Sequence, residues 1–202
     1  MSEARTAADY RAQAQHALQT LIEGNRRFAN GEPRPHIVSP QDREAMLESQ
    51  EPIATILGCV DSRVTPEIVT DQGLGDLLTV RSAGQALTGV ALGSIEFGAR
   101  ALGLPLVVVM GHTGCGAVLA ALSDHKPDGH LGDLAGEVAS RLVEVVGHDP
   151  VRATGANLKA TVAALREMDT LVSPDGHHSF IVGALYDMAT GSIEITDDAG
   201  LL

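Results

Sequence analysis

Leu106-Val107-Val108-Val109-Met110-Gly111-His112-Thr113-Gly114-Cys115-Gly116 carries an unbroken apolar run straight into a turn that holds an imidazole and a thiol. A second stretch has the same build: Ile53-Ala54-Thr55-Ile56-Leu57-Gly58-Cys59-Val60-Asp61-Ser62-Arg63. Neither run alternates apolar with polar, so both read as strands buried on two faces, as in a parallel sheet covered by helices. Each chemical motif then begins where its strand ends. The carboxyl ends of neighbouring parallel strands border the crevice in which α/β folds place their sites. Two thiols and one imidazole delivered there form a soft N/S donor set suited to tetrahedral zinc, with a fourth position left open as in catalytic sites.

Cysteines also serve as plain buried apolar residues, and Cys59 and Cys115, the only two in the chain, could pair as a disulfide. Against the disulfide, the opening Met1-Ser2-Glu3-Ala4-Arg5-Thr6 lacks the basic-then-apolar order of a secretory signal. A reducing, cytoplasmic location is therefore expected, where disulfides are rare.

These motifs together resemble the β-class carbonic anhydrases. The resemblance extends from Leu21-Ile22-Glu23-Gly24-Asn25-Arg26-Arg27-Phe28 to Tyr186, through CVDSRV at 59–64, VRSAG at 80–84, LGSIEFG at 92–98 and GHTGCGAV at 111–118. It implies an enzyme that interconverts carbon dioxide and bicarbonate through a zinc-bound hydroxide. One zinc per chain would be held by Cys59, His112 and Cys115, with Asp61 and Arg63 as the catalytic dyad. Asp61 becomes a fourth metal ligand when such a site closes; in the open form, expected here at neutral pH, it sits on Arg63. Some members trap bicarbonate in a second pocket built on tryptophan, arginine and tyrosine. Counting from the motifs puts Ile56, Arg81 and Tyr186 at those positions, so the trap is not carried over intact. A non-enzymatic zinc protein on the same scaffold is the different-class alternative, and it would have no need of the Asp61–Arg63 pair.

The rest of the chain suits this frame. The 202 residues fit one domain, 1–202. Aromatics make up 2% against 44% hydrophobic residues, so the core must be built of Ala, Val, Leu and Ile. A net charge of −12 excludes nucleic acid and anionic membrane as natural partners. The expected fold is α/β, a mostly parallel central sheet flanked by helices.

Residues 7–29 form a helix with Leu18, Leu21, Ile22 and Phe28 on its apolar face. Within an arm spanning 1–35 it has little of its own chain to bury against, and the resemblance implies that it packs on a partner subunit in a homodimer or dimer of dimers; the alternative is a helix folded on its own domain. Further helices are expected over 40–50, 66–72, 89–102, 117–122, 134–146 (Leu134, Val138, Leu142, Val145) and 151–168. Strands are expected at 77–80, 179–186 and 191–196. Gly89, Gly93 and Gly98 thin their helix, as if another backbone came close. His125 and His130 lack partners at ligand spacing, and His177 and His178, before the last pair of strands, read as solvated or capping residues. No phosphate-binding loop occurs, which leaves nucleotide cofactors without support.

Overall fold

A computed structural model describes residues 4–125, 127–142 and 149–202. The two quoted runs are strands β1 (Ala54–Gly58) and β3 (Leu106–His112), each buried at every position. With β2 (Leu77–Arg81), β4 (Phe180–Tyr186) and β5 (Ile193–Asp197) they make one sheet in the order β2-β1-β3-β4-β5. β1 pairs with β2 and β3, and β3 with β4, all in parallel, while β5 runs antiparallel at the edge.

Both faces are covered, which is why the runs do not alternate. Ile56, Val108, Met110, Val182 and Ala184 point to the face closed by helix α1 (Ala7–Ala29). Leu57, Val107, Val109 and Ile181 point to the other, closed by α4 (Gly89–Arg100) and α7 (Pro150–Arg166). Helix starts follow local chemistry: Thr6 and Asp9 form a capping box for α1, Thr88 caps α4, and Asp149 caps α7 with Pro150 in its first turn.

α1 settles one expectation differently. Tyr10, Ala14, Ala17, Leu18 and Leu21 are buried on the chain's own sheet, so the helix does find a face of its own to cover. Asn25 ties its end down by donating to Val69 O and Gly191 O. A β-carbon added at Gly24 would meet Thr70 O at 1.8 Å, so glycine lets α1 lie directly on the segment after α3 (Pro66–Val69).

Other bounds move as well. The helix expected over 40–50 is α2 (Pro40–Ala45), with the Ser39–Asp42 capping box intact but no buried residue to extend it. That expected over 134–146 is α6 (Gly129–Ser140), starting earlier; Leu142 is buried just beyond it, and Val145 lies outside the described residues. Of the glycines in α4, only Gly98 is closely approached, with Thr55 Oγ1 at 2.3 Å and Leu78 Cδ2 at 2.8 Å from an added β-carbon; Gly89 and Gly93 face open space. No described helix is long and apolar enough to cross a membrane.

Candidate metal centre

Parallel pairing of β1 with β3 brings Cys59, just past β1, beside His112 at the last position of β3. Cys115 follows three residues on, as N-cap of α5 (Gly116–Leu122). Gly114, at φ +67°, makes the turn between them. Sγ of Cys59, Sγ of Cys115 and a ring nitrogen of His112 all lie within 4.8 Å of one another, and all three residues are buried.

The donor set fits a zinc ion by geometry and by chemistry. Sulfurs bound at ~2.3 Å in a tetrahedron stand about 3.8 Å apart, and the two Sγ atoms are 4.0 Å apart. His112 Nδ1 lies 3.0 Å from Thr113 O. A carbonyl only accepts, so Nδ1 carries the proton and the neutral ring keeps its lone pair on Nε2. That Nε2 is buried and has no hydrogen-bond partner, the state of a nitrogen reserved for a metal. The sulfurs point the same way. A hydrogen bond from Cys115 lowers the pKa of Cys59, and the same contact raises that of Cys115, so the two sulfurs resist being ionised together. Holding both as thiolates calls for a cation between them. Burial opposes the imidazolium of His112, but the Cys59 sulfur beside it wins and its pKa is raised.

Asp61 stands apart from the three donors. Its Oδ1 and Oδ2 accept from Arg63 Nε and Nη2 at 2.9 and 2.7 Å, a two-pronged fork, and Oδ1 also accepts from the Arg63 backbone N–H at 3.0 Å. These bonds hold the carboxyl well below the usual carboxylate range. The Asp61–Arg63 contact that the open form requires is present.

The turn carrying Cys59 and Asp61 is strapped from outside by Arg81, whose Nε and Nη2 donate to Cys59 O and Asp61 O, each at 2.7 Å. Ile56 and Tyr186 lie in the core beneath α1. The three positions compared with a bicarbonate trap thus serve as core and strap. His125 and His130 stay outside the cluster, and His177 donates to or accepts from nothing in it, its Nε2 lying against Arg5 O. One contact was not read from the sequence: Gly84 N–H donates to Cys59 Sγ at 3.4 Å. Only the glycine within VRSAG hinted at it, as a turn needing a positive φ.

Comparison with known proteins agrees with the geometry. The family profile described as carbonic anhydrase matches residues 54–193. Carbonic anhydrase 2 of Mycobacterium tuberculosis is 37% identical over 198 residues, covering 91% of this chain and 93% of its own length. A carbonic anhydrase of Mycolicibacterium smegmatis is 36% identical over 193 residues, covering 91% and 94%. Among solved structures, a tetrameric β-carbonic anhydrase of Sordaria macrospora matches with a TM-score of 0.69 at 18% identity, over 90% of this chain and 97% of that one. The Coccomyxa β-carbonic anhydrase in complex with acetazolamide matches at 0.67 and 22%, over 89% and 86%. At those identities the structures speak to the fold alone.

Proposed function

The chain belongs to the β-class carbonic anhydrases, zinc enzymes that hydrate carbon dioxide reversibly to bicarbonate and a proton, and from that premise we propose how its own residues divide the work. Cys59, His112 and Cys115 hold the metal, one ion per chain. The observation that carries this is the buried, unpartnered Nε2 of His112 facing two sulfurs set a tetrahedral edge apart. The zinc supplies the acidity that makes water a nucleophile near neutral pH.

Asp61, ionised by its fork with Arg63, accepts a hydrogen bond from the attacking water and orients it toward the carbon of CO2. Arg63 has a second task. A free carboxylate this close to a dication would bind it, and the guanidinium keeps Asp61 off the metal. The proton released after attack leaves on the solvent side, where the Arg63 side chain is 63% accessible.

The protein acts as a homodimer or a dimer of dimers, in the cytoplasm. Free thiols at both cysteines suit a reducing compartment. The unpaired edge of β2 and the exposed Val90 and Phe97 beside it suit a second copy. The deciding experiment is stopped-flow CO2 hydration before chelation, after it, and after zinc is restored. Activity should vanish and return with one equivalent of metal per chain; hydration that survives complete zinc removal overturns the reading.

A further inference from the structure

The backbone N–H that reaches Cys59 Sγ comes from a turn that is costly to form. Gly84 and Gln85 follow one another in the left-handed region, at φ +62° and +55°. Glycine adopts that conformation freely, but a non-glycine residue there carries strain. Gln85 also buries its Nε2 without a hydrogen-bond partner. A β-carbon at Gly84 would crowd Ala117 Cβ at 3.0 Å and Val138 Cγ2 at 3.1 Å, so these neighbours would have to give way. A strained turn persists only where its surroundings over-determine it.

Those surroundings are a buried polar network between α6 and α7. Asn157, 1% exposed, donates from Nδ2 to Gly84 O at 2.9 Å and to Gln85 Oε1 at 3.4 Å. Its Oδ1 accepts from Arg141 Nε at 3.1 Å, so the amide is engaged at both ends. Arg141 also donates to Gln85 O at 3.4 Å and to Glu137 Oε2 at 2.7 Å. Glu137 Oε1 in turn accepts from Leu87 N at 3.0 Å. The network converges on residues 84–87, and from this turn Gly84 N–H is the group that reaches a metal-site sulfur among the described residues.

We propose that Asn157, backed by Arg141, is a positioning residue for the metal centre: it clamps the 84–85 turn so that Gly84 N–H stays on Cys59 Sγ and limits the charge this sulfur passes to the metal. The sign follows from the chemistry. A thiolate that accepts an N–H bond keeps part of its electron density in that bond and donates less. With two thiolates in the set the metal is short of acidity, and each such bond restores some of it. Losing the bond makes the centre a weaker acid.

The inference rests on the zinc reading above, and the test separates the two. Protein loaded with cadmium-113 should show scalar coupling between the Gly84 amide proton and the metal, transmitted through Cys59 Sγ. In Asn157→Leu the coupling should disappear while the remaining amide spectrum is kept. The kcat profile should move to higher pH. If Asn157→Leu does not fold, Arg141→Lys decides alone: it keeps the charge but loses the fork to Asn157 and Gln85, and should weaken the coupling and move the profile in the same direction. Parent protein that binds one cadmium without the coupling overturns this inference and leaves the metal site standing. Protein that binds no metal overturns the metal site itself. A folded variant that keeps the parent's coupling and pH profile refutes the role of Asn157.

Discussion

At the scale of single residues, magnitudes separate function from stability. Asp61 and Arg63 are 16% and 63% exposed at their side chains, and a pair that open to solvent contributes little to folding. Its two-pronged geometry is therefore better explained by what it does at the site than by what it adds to the fold. Arg63→Ala should free Asp61 to compete for the metal and push the CO2-hydration profile to higher pH, with little change in the denaturation midpoint. An unchanged rate and profile would show that Arg63 does not control Asp61. Cys115→Ser replaces a thiolate with a neutral hydroxyl and should lose metal and activity together. Metal analysis finding full zinc in that variant would remove Cys115 from the ligand set.

Among elements, α1 and its anchor matter most. Leu18 is 1% exposed against the sheet, so Leu18→Ala should cost about 2–5 kcal/mol in urea unfolding. A cost near zero would mean that α1 is dispensable to the subunit. Asp71 joins α1 to the segment that follows it, accepting from Arg27, His36 and both Nε and the backbone N–H of Arg34. Burial works to raise its pKa, but these donors bring it down to about 2. A depressed carboxylate stabilises the fold above its unfolded pKa, near 4, and that contribution is lost as pH falls toward 2. It amounts to about 2 kcal/mol. Asp71→Asn should lower stability at pH 7 by roughly that amount and flatten the decline between pH 4 and 2. A variant with the parent's full acid sensitivity would exclude Asp71 as its source.

For the whole molecule, what one chain leaves uncovered is as informative as its core. Ile37 and Leu47 are 85% and 81% accessible, on either side of α2, which buries nothing, and Val90 is 83% accessible beside the free edge of β2. Isolated apolar residues at a surface are ordinary; these occupy a segment and a sheet edge with little else to hold them. Sedimentation at micromolar concentration should therefore find dimers or larger assemblies. A stable monomer with full activity would count against the oligomer and against any role of a partner in shaping the site.

The sequence by itself determined the strands, the two motifs that carry the metal-site donors and most helix starts. Each depends on residues close together in the chain: an apolar run with a glycine at its end, His112 three places before Cys115, a capping residue before its helix. The Asp61–Arg63 pair was legible for the same reason, its partners being two residues apart. Only the tertiary structure decided that α1 covers its own sheet, because the buried face it needs is assembled from the separate strands β1, β3 and β4. It alone placed Asn157 on Gly84, 73 residues away, and Asp71 on Arg27, 44 residues away. Asn157 had left a trace, a polar residue on the buried stripe of α7 with Ala153, Leu158 and Leu165. A stripe says that a side chain is buried, but hydrogen-bond partners are set by where the chain returns, and that is a property of the packed molecule.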